Sequence, residues 1–362
     1  MILVLNAGSS SLKYAVFAAP ALAKVAAGTI ERIAEGDHAV HLDEVLGAVG
    51  DAPLTAVGHR VVHGGERFTA ATRVDDAVLG ALRELVPLAP EHEPAEIALI
   101  AAVAARRAGV PQVACFDTAF HATLPPAARL LPIPRRYATR GVRRYGFHGL
   151  SYAFLRDELA RLDPAAARGR VVLAHLGNGC SLAALRDGRC VDTTMAFTPA
   201  AGLVMGTRSG DLDPGLVAYL ARHEGLDADA FDALVNGRSG LLGLSETSAD
   251  VRDLLAAEAG DARAAEALAV FCLSARKYIG AMAAALDGLD TLVFAAGIGE
   301  HAAPIRARIC AGLGHLGVRL DADRNAAHAP VISAAGSAVT VRVIATNEEL
   351  QIARETAALL AA

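Results

Sequence analysis

The chain has 362 residues, of which 53% are hydrophobic and 20% charged, and its net charge is −5. This length allows two domains with cores of their own. Because we find no apolar run of transmembrane length, no basic leader and no basic patch, composition predicts neither a membrane-spanning or secreted protein nor a nucleic-acid partner. The five cysteines are scattered without a C-x-x-C pair, which favours a reducing cytoplasm over a disulfide framework or zinc site.

Apolar, β-rich stretches alternate with alanine-rich helical stretches, which is the pattern of an α/β protein. The predicted strands are 1–6, 12–17, 57–62, 113–116, 171–175, 181–185, 291–295 and 341–344. The predicted helices are 76–85, 95–108, 150–162, 216–224, 264–286 and 349–360.

The opening strand runs into NAGSSSLK at 6–13, a small-residue tip with one lysine, and then into a second strand. A Walker loop would lead into a helix, whereas here a strand follows, so the segment is a hairpin. Its tip either faces an anion or is an ordinary Gly/Ser turn. Residues 171–182 repeat the arrangement of strand, Asn/Gly/Ser tip and returning leucine. The echo suggests a duplicated fold that grips one ligand from two sides, although Asn-Gly turns are common.

Two segments of the first half carry candidate site residues. In GHRVVHGGERF, 58–68, His59 and His63 are four residues apart, but strand geometry makes a shared metal unfavourable. Arg60 lies beside a glycine pair that would let a ligand approach. Asp117 follows the strand 113–116 directly, where sites gather in α/β sheets, although it could instead cap a turn.

Four later segments add candidates, each with a structural alternative. His148 lies between glycines and aromatics before a helix. Arg208 lies in MGTRSGDLDPG, which could be either an anion nest or a turn with Asp–Arg pairs. The turn with Gly297 and Gly299 resembles a dinucleotide fingerprint, but its late position favours a nucleotide base or ribose. At 347–349, Asn-Glu-Glu suits either a helix N-terminus or a hard cation.

Taken in order, these motifs resemble the acetate kinase (acetokinase) family over nearly the whole chain. They are NAGSSSLK, GHRVVHGG, FDTAFH, YGFHG, HLGNG, FTPxxGLxMGTRSGDLDP, GIGE and TNEE. The resemblance implies two related actin-like (ribonuclease H-like) domains that close on ATP at an interdomain cleft. We expect the first domain to span 1–121 plus 349–362 and the second, with nucleotide binding and the dimer interface, 122–348.

The resemblance implies a cytoplasmic, homodimeric acetate kinase that uses Mg²⁺, or Mn²⁺ in its place, and transfers the γ-phosphoryl group of ATP in line to acetate. The products are acetyl phosphate and ADP, and the reaction is reversible. A carboxylate is already ionised near pH 7, so positioning and charge neutralisation matter more than a base. A kinase for propionate, butyrate or 2-oxobutyrate is the alternative within this class. A non-catalytic ATP sensor or an NAD dehydrogenase would be a different class.

The site residues implied by the resemblance fall into groups. Three are catalytic: Asp117, His148 and Arg208. Four bind the carboxylate substrate: Arg60, Val62, Phe147 and Pro199. Magnesium is assigned to Asn6 and Glu348. The ATP contacts are Lys13; His175, Leu176, Gly177, Asn178 and Gly179; Asp250, Val251 and Arg252; and Gly297, Ile298, Gly299, Glu300 and His301. We expect Asp117 to orient Arg60 or metal-bound water rather than to act as a base.

Two departures from the family pattern affect the site. His301 stands where the GIGEN motif ends in asparagine. More seriously, residues 89–94 read APEHEP where the family usually reads APLHNP, so Glu91 replaces a leucine of the acyl pocket. Since an unpaired buried carboxylate is costly, Glu91 either turns to solvent, pairs with an arginine, or marks an acid other than acetate.

Overall fold

The computed structural model describes residues 1–8, 11–31, 33, 37–50 and 53–361. Its strands are β1 Ile2–Ala7, β2 Ser11–Ala18, β3 Ala23–Glu31, β4 Ala56–Val61, β5 Thr72–Arg73, β6 Gln112–Phe116, β7 Arg170–Leu176, β8 Cys180–Arg186, β9 Arg189–Thr193, β10 Thr291–Ala295 and β11 Thr340–Val343. The eight predicted strands are all present, with ends shifted by at most one residue. Strands β3, β5 and β9 were not predicted, and the hairpin tip at 9–10 lies outside the described residues.

The helices of the described residues include all six that were predicted, together with several short ones. They are α1 Leu42–Val49, α2 Asp76–Leu85, α3 Glu93–Arg106, α4 Pro126–Arg129, α5 Gly149–Leu162, α6 Gly215–Glu224, α7 Ala228–Gly237, α8 Gly240–Ser245, α9 Val251–Ala257, α10 Ala262–Ala285, α11 Ala296–His301, α12 Ala303–Cys310, α13 Ala322–Ala326 and α14 Glu348–Ala361.

The strands form two sheets that share one arrangement of five strands, to which the first sheet adds β5. The first has the order β3-β2-β1-β4-β6-β5 and the second β11-β10-β7-β8-β9. In each, three consecutive strands pair antiparallel, and the first of them then pairs parallel with a later strand. The sequence echo between the two hairpins therefore reflects a duplicated architecture.

Helices α5 and α14 lie between the two sheets. Leu150 of α5 packs with Ile352 and Ala353 of α14 against the first sheet, whereas Tyr152 and Leu155 of α5 pack against the second. Because α14 packs on the first sheet, we propose that the halves divide as 1–121 plus 349–362 and 122–348.

The second sheet is covered on its other face by the long helix α10. By length and composition alone, this helix is long and apolar enough to cross a membrane. The sequence reading had found no such run. Its buried residues, Phe271 and Ile279 among them, belong to the core cluster that packs on β7 and β10.

The five cysteines, Cys115, Cys180, Cys190, Cys272 and Cys310, are all buried and none forms a disulfide. Each lies in a strand or helix of the core rather than in a connecting loop.

Candidate active site

The first half contributes an arginine and a carboxylate held together at the ends of neighbouring parallel strands. Arg60, in β4, donates through Nη2 and Nε to Asp117 Oδ2, at 2.6 and 3.2 Å. Its Nη1 donates to the carbonyl oxygen of Ala7 at the end of β1, at 2.9 Å. Burial lowers the pKa of Arg60, but the attraction of Asp117, Glu348 and Glu96 outweighs it and raises the pKa overall. Arg60 is therefore a fixed cation.

Asp117 is almost wholly buried, and only one of its oxygens is used by Arg60. Its Oδ1 has no hydrogen-bond partner among the described residues. Burial raises the pKa of Asp117, Arg60 opposes that rise, and the nearby charge of Glu348 adds to it. The unpartnered oxygen marks a place where a water molecule or ligand could be held.

Asn6 and Glu348 meet opposite this carboxylate. Asn6 Nδ2 donates to Glu348 Oε2 and to Glu349 Oε1, both at 3.1 Å. The contact joins the end of β1 to the start of α14, which are far apart in sequence. It places amide and carboxylate oxygens, the ligands that Mg²⁺ prefers, beside Asp117. No group of three or more His, Cys, Asp or Glu residues within the described part of the chain could hold a metal by itself.

Two histidines stack on the other side of the site. The rings of His148 and His175 are 4.2 Å apart and 22° from parallel. His148 Nδ1 bonds Ser181 Oγ at 2.9 Å, and His175 Nδ1 bonds Ser151 Oγ at 2.8 Å. Burial, followed by the neighbouring His175 and the arginines 60 and 208, lowers the pKa of His148 well below its usual value. Burial likewise lowers the pKa of His175, to about 4. Both imidazoles are therefore neutral at pH 7.

The backbone conformation at the start of α5 requires a glycine directly after His148. His148 adopts a left-handed conformation, with φ of 58°. Gly149 N then donates to the carbonyl oxygen of Asp117 at 3.0 Å, and a Cβ at this glycine would lie only 2.0 Å from that oxygen. Only glycine allows this approach, which ties His148 to Asp117.

Arg208 reaches the same point from the second half. A Cβ at Gly179, in the turn between β7 and β8, would lie 3.3 Å from His148 Nε2 and 3.4 Å from Arg208 Nη1. Burial lowers the pKa of Arg208, Glu91 opposes this and Arg60 adds to it. The two predicted arginines and His148 therefore converge on one region, bounded by the β7–β8 turn.

A cavity of about 760 Å³ opens beside that turn. It is lined by members of all three predicted nucleotide segments: Gly177, Asn178, Asp250, Val251, Arg252, Gly297, Ile298 and His301. Leu255, Ala302 and Pro304 add apolar surface. The segments come from separate elements of the second half, so the fold brings together what the sequence predicted as one site.

Several predicted nucleotide residues do not line this cavity. Glu300 turns inward: its Oε1 accepts from Ala296 N at 2.7 Å and from Thr346 N at 3.1 Å, which ties the 296–301 turn to the loop before α14. Leu176 is fully buried in the core cluster of the second sheet. Lys13 is exposed on β2, opposite Asn6, and its charge acts on His175.

The predicted acyl pocket is partly assembled. Val62 and Phe147 are buried in one apolar cluster, with Leu88 and Phe197 packed against it. Pro199 is half-buried. Glu91 lies exposed in the turn before α3, and its charge acts on Arg208. Its exposure fits the alternative in which this side chain turns to solvent, and its charge interaction with Arg208 fits the alternative of a pairing arginine.

The sequence reading missed residues that support the site. His92 is half-buried beside both site arginines, and burial, followed by Arg60 and Arg208, lowers its pKa to about 3. Ser181 and Ser151 orient the histidines. Glu93 and Glu96 are buried behind the acyl pocket. The sequence alone does not indicate that a charged residue in the first turn of an amphipathic helix points inward.

A duplicated α/β architecture, with two arginines that converge beside a cavity of about 760 Å³, is the kind of site that a phosphotransferase needs. A model of the acetokinase family matches residues 48–354, and the chain belongs to that family. It is 48% identical to acetate kinase of Micrococcus luteus, over 98% of each chain.

Solved structures of this family resemble the chain throughout. An acetate kinase from Porphyromonas gingivalis is 35% identical, with a TM-score of 0.91 over 99% of each chain. A propionate kinase from Francisella tularensis is also 35% identical, with a TM-score of 0.91 over 98% of each chain. The fold and family read from the sequence motifs are therefore confirmed.

Proposed function

We propose that the protein is an acetate kinase that transfers the γ-phosphoryl group of ATP to acetate. An acetate oxygen attacks the γ-phosphorus, the bond from that phosphorus to the ADP oxygen breaks, and acetyl phosphate and ADP leave. The reverse reaction uses the same groups. The observation that carries the proposal is the position of Arg208 and His148 against Gly179, at the rim of the cavity that the nucleotide segments line.

Arg60 would bind the acid, with Val62, Phe147 and Pro199 around its methyl group. A guanidinium can hold a carboxylate through two donors, and Asp117 keeps this guanidinium in one orientation. Asp117 would act through Arg60 rather than as a base, since acetate has no proton to remove at pH 7.

Arg208 and His148 would stabilise the phosphoryl group in flight. Because the pKa of His148 is lowered, its neutral ring offers one N–H rather than a second positive charge. Arg208 supplies the charge, in a region where burial strengthens electrostatic interactions. Gly177, Asn178 and Gly179 would contact the phosphates, with Lys13 opposite them.

The residues 250–252 and 297–301 would enclose the adenosine. His301 is exposed on the cavity rim and can contact a nucleotide there. Arg252 is exposed and paired with Asp250 at 2.5 Å, so it would hold the nucleotide only after that pair rearranges. Leu176 and Glu300 would support the site through packing and loop position, not through direct contact.

Asn6 and Glu348 fit magnesium through their oxygens, and the unpartnered Asp117 Oδ1 could accept from a metal-bound water. Mg²⁺ keeps several waters and binds substrate phosphates, so few protein ligands suffice. When bound with ATP, the ion would neutralise phosphate charge. Mn²⁺ has a similar preference for oxygen ligands.

We also propose a cytoplasmic homodimer that forms through the second half. Helices α6 and α7, both described in full, contain no buried residue in the isolated chain. Exposed apolar side chains lie on α6 and on other parts of the second half: Leu212, Val217, Tyr219, Leu244, Val270 and Leu273. Such a surface is typical of a protein interface.

The test is to incubate the protein with MgATP and hydroxylamine, separately with acetate, propionate, butyrate and 2-oxobutyrate. Hydroxamate that forms fastest with acetate would support the proposal. Faster turnover of a longer acid would support the alternative of a propionate- or butyrate-type kinase. The similar Francisella structure is described as that of a propionate kinase. ATP binding without any hydroxamate would indicate an ATP sensor, and NADH binding a dehydrogenase.

Glu91→Leu refines this test. If Glu91 stays outside the pocket, the replacement should leave the order of acids unchanged. If instead acetate becomes the preferred acid only in the variant, Glu91 determines specificity. Glu84→Leu, at an exposed glutamate of α2, is the matched control.

A further inference from the structure

The strand end that carries Arg60 and Val62 continues into a turn whose backbone is held by side chains. Four consecutive N–H groups, at residues 62 to 65, each donate to a side-chain acceptor at 2.9 Å. The acceptors are Glu96 Oε2, Glu93 Oε1, Thr118 Oγ1 and His63 Nδ1. Since β4 ends at Val61, these amides would otherwise lack partners in a buried place.

Two of these acceptors are buried carboxyl groups on the first turn of α3. Glu93 is 0% exposed and Glu96 is 2% exposed. Their other oxygens, Glu93 Oε2 and Glu96 Oε1, have no hydrogen-bond partner among the described residues. Buried carboxyl groups are expensive, so the amides of Val62 and His63 must offset part of the cost.

The pair lies beside the strand end that carries Arg60 and Val62: it accepts from the first two amides after β4, and the charge of Arg60 acts on Glu96. Burial raises the pKa of both groups; the repulsion between them raises that of Glu93 further, and Arg60 opposes the rise at Glu96. The groups that face the pair are Arg60 on β4, Asp117 after β6 and His63. His63 packs edge-on against Tyr145 and Phe147, with ring centroids 4.3 and 5.8 Å apart. A shift of this turn would therefore move the pocket wall and Arg60 together.

We propose that Glu93 and Glu96 are positioning residues for the carboxylate substrate, which fix the Val62–His63 backbone and thereby the acyl pocket and Arg60. The proposal rests on the function proposed above and deepens it. Neither glutamate lines the nucleotide cavity, so we expect the pair to affect binding of the acid and not binding of ATP.

The test compares Glu96→Gln, Glu96→Asp and Glu96→Ala by steady-state kinetics with acetate and ATP. Gln keeps an oxygen at the same reach and should stay within about threefold of wild type. Ala removes the acceptor, and Asp is too short to reach Val62 N. Both should raise the KM for acetate about tenfold or more, as a displaced binding group does. The KM for ATP should change by less than about twofold. Glu84→Ala on α2 is the control.

A second readout does not depend on turnover. Amide hydrogen exchange of peptides that span residues 56–68 should accelerate in Glu96→Ala and Glu96→Asp but not in Glu96→Gln. Equal kinetics and equal exchange for Gln, Asp and Ala would overturn the proposal, as would matched rises in both KM values. A wild-type protein that turns over no acid would overturn the proposed function instead, and the exchange comparison would still decide whether the carboxyl groups hold the turn.

Discussion

Among single residues, Arg208 is expected to contribute most to the rate. Arg208→Lys keeps a positive charge but loses the planar fork of donors that fits a phosphoryl group. We expect kcat to fall about a thousandfold, as for other arginines that stabilise phosphoryl transfer, while the KM for ATP changes little. Arg83→Lys, at an exposed site on α2, is the control. A loss of kcat below about threefold would contradict a role in the transition state.

The buried glutamates should also make stability depend on pH. The folded-state pKa of Glu96 is raised, so between the ordinary glutamate pKa and that raised value the folded protein holds a proton that the unfolded chain releases. The free energy of unfolding must then fall as pH rises through this window, by at most about 1.4 kcal/mol per pH unit for one proton.

Glu96→Gln removes this titration. The Tm of the variant should therefore rise relative to that of wild type as the pH is raised from 5 to 8, as measured by differential scanning calorimetry. A Tm difference that stays constant over this range would show that Glu96 does not take up a proton on folding.

For Arg60 and Asp117, the sequence placed the first within a recognisable strand and the second directly after another, and the family resemblance implied that Asp117 orients Arg60. It did not predict Glu93 and Glu96. Their burial depends on which face of α3 meets β4, and the sequence of α3 is apolar on more than one face: Ala95, Ile97 and Leu99 are buried together with the glutamates. Periodicity cannot identify an inward carboxyl group whose partners are backbone amides from another element.

Among the elements, α11, the short helical turn at 296–301 that carries the third predicted nucleotide segment, depends on a buried cation. Arg306 is 0% exposed, and its Nη1 donates to the carbonyl oxygens of Gly299 and Glu300 at 2.9 and 2.8 Å. Nε and Nη2 donate to Asn325, each at 2.8 Å. The guanidinium thus ties the nucleotide turn to α13.

Arg306→Met should release these carbonyl groups and raise the KM for ATP about tenfold, with the KM for acetate unchanged. Arg306→Lys should be intermediate, since an ammonium cannot bond all four acceptors at once. Calorimetric titration with ADP would separate binding from rate. A variant that binds ADP as wild type does would contradict this role of the turn.

The elements themselves were predictable where hydrophobic patterns were long. The paired hairpins of β1–β2 and β7–β8 follow from apolar runs broken by Gly/Asn/Ser tips. Strand β3 was missed because it is an edge strand that contains no buried residue. Helices α7 and α8 were not predicted: α7 contains no buried residue in the isolated chain, and α8 spans only six residues.

For the whole molecule, the order of motifs along the chain predicted the duplicated fold, although the site needed both halves in place.

The oligomeric state is a second property of the whole molecule. Leu273→Asp places a charge on the exposed apolar surface of α10. We expect wild type to have twice the 37.2 kDa mass of the chain by light scattering, and the variant to be monomeric.

Val40→Asp, at an apolar residue that is 71% exposed in the first half, is the control and should remain dimeric. Dissociation by this change as well would mean that the interface is not confined to the second half. A monomeric wild-type protein would disprove the dimer.

The five buried cysteines have a consequence for chemical reactivity. Alkylation requires the thiolate, and burial raises the pKa of every one of these thiols. The folded protein should thus withstand iodoacetamide with its activity intact, and each thiol should react only when its own sheet or helix opens. Mass spectrometry of time-resolved labelling would then rank the two halves by their rates of opening, with the native thiols as reporters.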